Sequence, residues 1–207
     1  MTERWLVATT EYAGVTSYTG GIGRHYAALL PALAAQGAEI GLVVFTDGPV
    51  GVRATPGIRR LVVHRTGGMT RLAALLHRPR ALRRAYLADA YDRVFVPEWM
   101  GLGALLPRDA PLVTNLATGV DLAHEISGLR LADLPASSRP AVVLQSRLEA
   151  RQVRRSAGIV AISHAMTDRA ERIWGRMPRG EVVRNCIDVA GVRHAAATRR
   201  PPAGWPG

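Results

Sequence analysis

Three glycines near the N-terminus are the residues best suited to bind a charged ligand. Gly20, Gly21 and Gly23 follow an apolar run at residues 5–8 and begin a segment with helical spacing. A helix that starts there directs free N–H groups and the positive end of its dipole at an anion. Glycine lets the anion approach the backbone because it has no Cβ. The pattern predicts an anion-binding turn, and the alternative is a tight strand–helix turn without a ligand.

Two side chains beside the glycines have chemistry that suits the same site. Arg24 lies in the first helical turn, where a positive charge disfavours the helix dipole and therefore indicates a negative partner nearby. For His25 two interpretations stay open: contact with a ligand, or an ordinary place in the first turn of the helix.

Further candidates lie later in the chain. Glu98 and Trp99 follow a short apolar strand, where a carboxylate can bind sugar hydroxyls and an indole can stack on a sugar face. The alternative is an edge glutamate beside a packing tryptophan. Asp121 and His124 are one helical turn apart in an irregular stretch. That spacing suits a general base and its orienting partner, or simply two solvated polar residues.

Other kinds of site are disfavoured. Residues 21–26 begin like a dinucleotide-binding fingerprint, but Tyr26 stands where the third glycine belongs, and the loop at 10–20 is too long for that turn. Asp47 precedes Gly-Pro, which is typical of a turn. No set of His, Cys, Asp and Glu has metal-ligand spacing, and no P-loop or nucleophile elbow occurs. We therefore expect neither a metal nor a cofactor.

The composition bears on partners and compartment. The chain has 207 residues with a formal net charge of +11, and all 27 basic residues are arginine. This charge indicates an anionic partner, such as nucleotide phosphates or an acidic membrane surface, or else a GC-rich coding sequence that inflates arginine content. Nucleic acid is disfavoured because no aromatic residue lies among the basic clusters. The single cysteine, Cys186, excludes an internal disulfide and favours a reducing compartment.

Apolar runs that alternate with helical spacing must position these residues. Strands apolar on both faces predict an α/β fold, a Rossmann-like three-layer sandwich with a mostly parallel sheet. Residues 117–137 are the least regular stretch, and Pro79 is expected to kink or split its helix. Ser163 has the position of an N-cap. Strands are predicted at 5–10, 40–45, 58–64, 93–96, 111–116, 158–162 and 181–183, and helices at 22–36, 72–90, 142–156 and after Ser163.

Four stretches together resemble one family. Residues 20–37, followed by 39–44, resemble the opening of the family 4 (group 1) glycosyltransferases, which have the GT-B architecture of two Rossmann-like domains facing across a cleft. Residues 157–169 resemble their late strand–helix segment, and residues 111–118 resemble the fifth strand of a subset. Residues 182–188 resemble the family's V-x-P-N-G-[IV]-D segment, with Arg184 in place of its proline and Cys186 in place of its glycine. The histidine that many relatives carry after the fifth strand is absent from 115–118.

The resemblance implies sugar transfer from a nucleotide-sugar donor with retention of anomeric configuration. Residues 1–190 would form the N-terminal, acceptor-side domain of the GT-B architecture, and 191–207 an interdomain linker. The second domain would be absent, so the chain alone would turn over poorly. The acceptor would be a glycan, a lipid-linked or a small molecule. The protein would be cytoplasmic, with peripheral contact to the inner face of an anionic membrane as some relatives have.

The residues expected at the site fall into three groups, with no catalytic residue identified. The glycine loop would approach the donor diphosphate and the acceptor. The groups are the donor-phosphate and acceptor loop (Gly20, Gly21, Gly23, Arg24, His25), the acceptor or sugar contacts (Glu98, Trp99, Asn115, Thr118, Asp121, His124) and the interdomain cleft (Ser163, His164, Arg184, Asn185).

The alternative function is a non-catalytic Rossmann-like module for an anionic ligand, a membrane surface or a protein partner.

Overall fold

A computed structural model describes residues 2–51, 55–186 and 189–198. Strands and helices alternate along most of the chain. The strands are β1 (Arg4–Thr9), β2 (Glu39–Thr46), β3 (Ile58–Arg65), β4 (Arg93–Pro97), β5 (Leu112–Leu116), β6 (Gly158–Ala161) and β7 (Gly180–Val182). The helices are α1 (Gly21–Ala35), α2 (Arg71–Leu87), α3 (Val120–Ser127), α4 (Arg139–Arg155), α5 (His164–Trp174) and α6 (Val189–Thr198), with 3-10 turns at Trp99–Gly101 and Leu131–Asp133.

The strands form one sheet in the order β3-β2-β1-β4-β5-β6-β7, and every adjacent pair is parallel. The Rossmann-like fold class predicted from the sequence is confirmed. The strand order reverses between β1 and β4, and in such sheets ligands bind outside the carboxyl ends of the strands at that switch point.

The sheet is covered on both faces because its central strands are apolar on both. In β1, Leu6 and Ala8 pack with Leu82 of α2, whereas Val7 packs on the other face with Tyr26 and Leu30 of α1. Each of these side chains is at most 1% exposed. The two layers hold β1 and β4 rigidly, which fixes the positions of the loops that follow them.

Two local predictions are corrected. Residues 117–137 are not irregular throughout, since α3 occupies Val120–Ser127 between Gly119 at its start and Gly128, a left-handed cap with φ of 66°. The second helix does not split at Pro79, because α2 runs through this residue as a single helix, and the alternative expectation of a kink stays a prediction. Helix α6 occupies residues 189–198, and residues 199–207 lie outside the described ranges, so the interdomain linker expected at 191–207 stays a prediction.

The predicted N-cap at Ser163 is confirmed. Ser163 caps α5, since its Oγ accepts a hydrogen bond from Met166 N–H at 3.2 Å. Gly37, with φ of 96°, adopts the left-handed conformation directly after the end of α1. Within the described ranges, none of the helices combines the length and the apolarity needed to cross a bilayer.

Candidate functional site

A cavity of about 610 Å³ opens at the carboxyl ends of β1, β4 and β5, at the switch point of the sheet. We call it the cleft. Its walls come from loops that are far apart in sequence, because parallel strands bring their ends to one edge. The predicted residues that line the cleft are Gly20, Gly21, His25, Trp99, Asn115, Thr118 and Asn185.

Glu11 occupies part of the glycine turn, which the sequence patterns do not reveal. Its Oε2 accepts a hydrogen bond from Gly20 N–H at 2.5 Å, and its Oε1 accepts one from Gly23 N–H at 3.0 Å. Helix α1 has no acidic residue in its first turn, so Glu11 supplies the negative charge that the dipole favours there. The N–H groups of Gly20 and Gly23 are therefore used inside the protein.

The glycines of this turn have different roles. A Cβ on Gly23 would lie 2.9 Å from Thr19 Cγ2 and 3.0 Å from the Glu11 carbonyl oxygen, so Gly23 is required by packing. Gly21 has no heavy atom within 4 Å of the same position and faces the cleft. Among the described residues, nothing accepts a hydrogen bond from the N–H groups of Gly21 and Ile22. These two N–H groups therefore remain unused within the described residues, while Arg24 is exposed and lies outside the cleft lining.

His25 lines the cleft and also contacts the segment at residues 185–186. Its ring is largely buried, and Nδ1 accepts a hydrogen bond from Cys186 N–H at 3.2 Å. Burial lowers the pKa of His25, so the imidazole is neutral near pH 7 and carries its proton on Nε2. This contact holds the segment with Asn185 against α1, which explains why Asn185 lines the cleft.

Glu98 does not face a sugar, and that prediction is corrected. Its side chain is 0% exposed, with Oε2 accepting a hydrogen bond from Ala117 N–H at 2.6 Å. Its Oε1 is buried without a hydrogen-bond partner among the described residues. Burial raises the pKa of Glu98 to about 7. Glu98 thus supports the loop behind the cleft, while its neighbour Trp99 lines the cleft itself.

We expect Glu98→Gln to raise the free energy of unfolding near pH 8 and to flatten its dependence on pH. The pKa of Glu98 rises from 4.5 to about 7 on folding, so the folded state binds the proton more tightly. The free energy of unfolding therefore falls by on the order of 2 kcal/mol as pH rises from about 4.5, where the unfolded chain loses this proton, to about 7, where the folded protein loses it. Glutamine stays neutral and keeps an oxygen for Ala117 N–H.

Urea unfolding at about pH 5 and about pH 8 measures this effect. Glu171→Gln, at an exposed position of α5, is the matched control and should keep the pH dependence of the unmodified protein. An unchanged pH dependence in Glu98→Gln would show that Glu98 is already ionised in the folded state near pH 5.

A second buried carboxylate, Glu149, organises the cleft floor and is not apparent from the sequence. Its Oε1 accepts hydrogen bonds from Met100 N–H at 3.0 Å and Gln145 Nε2 at 2.8 Å, and its Oε2 accepts one from Val120 N–H at 2.7 Å. Met100 has φ of 66°, a left-handed conformation that is uncommon outside glycine. One side chain of α4 thus fixes both the turn that carries Trp99 and the start of α3.

Asp121 and His124, both among the described residues, form no hydrogen bond with each other. Both lie on α3, and the Asp121 carboxylate accepts a hydrogen bond from Ser146 Oγ at 2.6 Å. Neither residue lines the cleft. Ser163, His164 and Arg184 also lie outside the cleft lining, although Ile162 and Asn185 beside them line it. Their predicted place in an interdomain cleft stays a prediction.

Asp47 and Arg78 add a charged pair to the cleft wall. Arg78 Nη2 lies 2.8 Å from Asp47 Oδ1 and 3.0 Å from Thr66 Oγ1, and the Arg78 side chain is only 7% exposed. Arg78 follows Leu75 by three positions and precedes Leu82 by four, so helical spacing places it on the buried face of α2. That position was the sequence signal for a buried arginine. Among the described residues, no group of three or more His, Cys, Asp or Glu could hold a metal ion.

The fold and the cleft define a class: α/β proteins with a Rossmann-like parallel sheet that match GT-B glycosyltransferase structures. The model of glycosyltransferase family 4 matches residues 19–190. The chain therefore belongs to glycosyltransferase family 4, as the sequence resemblance indicated. A search of curated proteins found no match.

Two solved structures show the same fold at low sequence identity. Sucrose-phosphate synthase from Thermosynechococcus elongatus superposes with a TM-score of 0.64 at 14% identity, covering 99% of this chain and 54% of that one. Trehalose-6-phosphate synthase from E. coli, bound with UDP-2-fluoro glucose, gives a TM-score of 0.51 at 14% identity, covering 97% and 52%. The chain thus spans about half the length of each of these relatives.

Proposed function

We propose that this chain is the acceptor-side domain of a retaining glycosyltransferase that takes its sugar from a nucleotide-sugar. The observation that carries the proposal is the pair of free N–H groups at Gly21 and Ile22, which face the cleft at the start of α1. Membership of glycosyltransferase family 4 and the UDP-sugar bound to the E. coli relative support it.

In the proposed reaction, the bond between the anomeric carbon and the donor phosphate breaks and negative charge grows on the leaving diphosphate. The free N–H groups and the positive end of the α1 dipole would stabilise that charge, more strongly in the transition state than in the bound substrate. Glu11 keeps the turn in its shape by occupying the neighbouring N–H groups. The donor would therefore approach the open part of the turn around Gly21.

The acceptor would lie against the opposite wall of the cleft. Trp99, after β4, offers an aromatic face, and Asn115 and Thr118, at the end of the neighbouring strand β5, offer hydrogen-bonding groups. The neutral His25 adds a hydrogen-bond donor at Nε2. We infer that the reaction needs no metal ion, so that transfer should persist in EDTA.

The experiment measures nucleoside diphosphate released from a panel of nucleotide-sugars, using the protein as its gene encodes it. Acceptors are supplied as small sugars, glycans and lipid-linked sugars. Release that depends on one donor and on an acceptor, with a product that keeps the anomeric configuration, supports the proposal. An inverted product would overturn retention, and no release with any donor would favour a non-catalytic binding module.

The 207-residue chain by itself should bind nucleotide-sugars weakly and transfer poorly, because it spans only about half the length of the two solved structures that it matches. Calorimetric titration with UDP-sugars and other nucleotide-sugars measures that affinity. Robust transfer by the purified chain would contradict this part of the proposal.

A further inference from the structure

A second cavity, of about 290 Å³, lies away from the cleft between the β2–β3 end of the sheet and helix α2. We call it the α2 groove. Its floor is apolar, formed by Leu6, Val43 and Val62. Helix α2 and the residue after it present Ala81, Ala85 and Ala88 to the groove, and these small side chains leave the space open. The volume is at the lower end of the range for small-molecule sites.

A register shift in the sheet places Arg60 on the side of β3 that faces the α2 groove. The pairing of β2 with β3 slips between Ile40 and Gly41, so that Gly41 pairs with Arg60 rather than with Arg59. Beyond the shift, Arg60, Val62 and His64 all line the α2 groove, while Leu61 and Val63 pack with α1. A face that is apolar in β1 and β2 therefore becomes basic in β3.

Gly41 deepens the groove at the same point. It has no side chain to fill the floor beneath Arg60, and a Cβ there would lie 3.3 Å from the hydroxyl of Tyr91. The groove therefore has an apolar interior below a basic rim, with Tyr91 closing one end.

The charged side chains that line the groove are basic and exposed, whereas Asp89 and Glu39 line an adjoining cavity that shares Arg60 with it. Arg60 on β3 and Arg84 on α2 both line it, and neither forms an ion pair with any of the described residues. His64 and His77 complete the rim with ring centroids 6.0 Å apart, and burial, with His77 nearby, lowers the pKa of His64. No carboxylate side chain is among the groove's lining residues in the described part of the chain.

We propose that the α2 groove binds a small amphipathic anion, a medium-chain alkyl carboxylate, with its chain on the apolar floor and its carboxylate between Arg60 and Arg84. Arginine matches a carboxylate with two parallel N–H donors, and the apolar floor accommodates the alkyl chain. This ligand differs from the substrates of the cleft, and the proposal does not depend on sugar transfer.

The test titrates sodium octanoate, butyrate and octan-1-ol into the 207-residue chain by calorimetry. We expect octanoate to bind and affinity to rise about fourfold with each methylene from butyrate upward. Octan-1-ol should bind about tenfold more weakly than octanoate, because it lacks the charge that the two arginines recognise. Equal binding of octan-1-ol and octanoate, or no saturable binding of octanoate, would overturn the proposal.

Variants locate the site. Arg84→Gln should lower octanoate affinity about threefold, part of the way to that of octan-1-ol because Arg60 remains, whereas Arg80→Gln, on the same helix but outside the groove, should leave it unchanged. Ala85→Phe should abolish binding by filling the groove, and Ala88→Phe, at an exposed position, does the same if the first variant does not fold. Gly21→Trp should have no effect, which separates this site from the cleft. Identical affinities in Arg84→Gln and Arg80→Gln would refute the assignment.

Discussion

Replacing Gly21 with tryptophan should lower kcat/KM for sugar transfer by about 100- to 1,000-fold in the protein as its gene encodes it, the loss typical of removing a preorganised donor to a developing anion. The indole would occupy part of the 610 Å³ cleft and cover the N–H groups of Gly21 and Ile22. The fold should remain, because a Cβ at position 21 would meet no heavy atom within 4 Å and the backbone there is not left-handed. Steady-state kinetics and urea unfolding measure the two quantities.

Gly51→Trp is the matched control for this variant. Gly51 also has no heavy atom within 4 Å of its Cβ position, but it lies outside the cleft lining. It should keep transfer activity, and both variants should unfold within about 0.5 kcal/mol of the unmodified protein. Full activity in Gly21→Trp would mean that the glycine turn has a structural role and does not bind the donor.

Replacing Glu149 with alanine should cost about 3 kcal/mol of the free energy of unfolding. The change leaves the N–H groups of Met100 and Val120 and the amide of Gln145 without their acceptor, and each unsatisfied buried donor costs about 1–3 kcal/mol. Part of that cost is offset because a buried carboxylate is also removed. Urea unfolding measures the total.

Hydrogen exchange tests whether Glu149→Ala destabilises the protein only near the lost hydrogen bonds. The amides of Met100 and Val120 should exchange faster in Glu149→Ala, because that side chain holds the 3-10 turn and the start of α3 together. Glu125→Ala, which removes only an exposed ion pair with Arg172 at 3.7 Å, is the control and should cost less than about 1 kcal/mol. A loss below that value in Glu149→Ala would show that water replaces the carboxylate.

The sheet was predictable because each central strand is apolar on both faces, and that pattern depends only on neighbouring residues. Helix α3 was not, since it has eight residues and its first N–H is fixed by Glu149, 29 positions later in the chain. Pro79 is tolerated inside α2, whose buried neighbours Leu75 and Leu82 hold the helix against the sheet and α4.

The site was predictable in position but not in the use of each side chain. Parallel strand ends had to meet at one edge, so Gly21, Trp99 and Asn115 come together as expected. Which carboxylate turns inward is a matter of tertiary contacts. Glu11 folds back onto the glycine turn, and Glu98 is drawn beneath the surface by Ala117 N–H. Neither orientation has a signature in the local sequence.

The contact between Cys186 and His25 makes the protein convenient for spectroscopy. Cys186 is the chain's single cysteine and is exposed, so a maleimide dye or a spin label would attach at one position without prior mutagenesis. Its backbone is hydrogen-bonded to a residue that lines the cleft. A probe on this thiol would therefore report directly on events in the cleft, including ligand arrival, from the unmutated polypeptide.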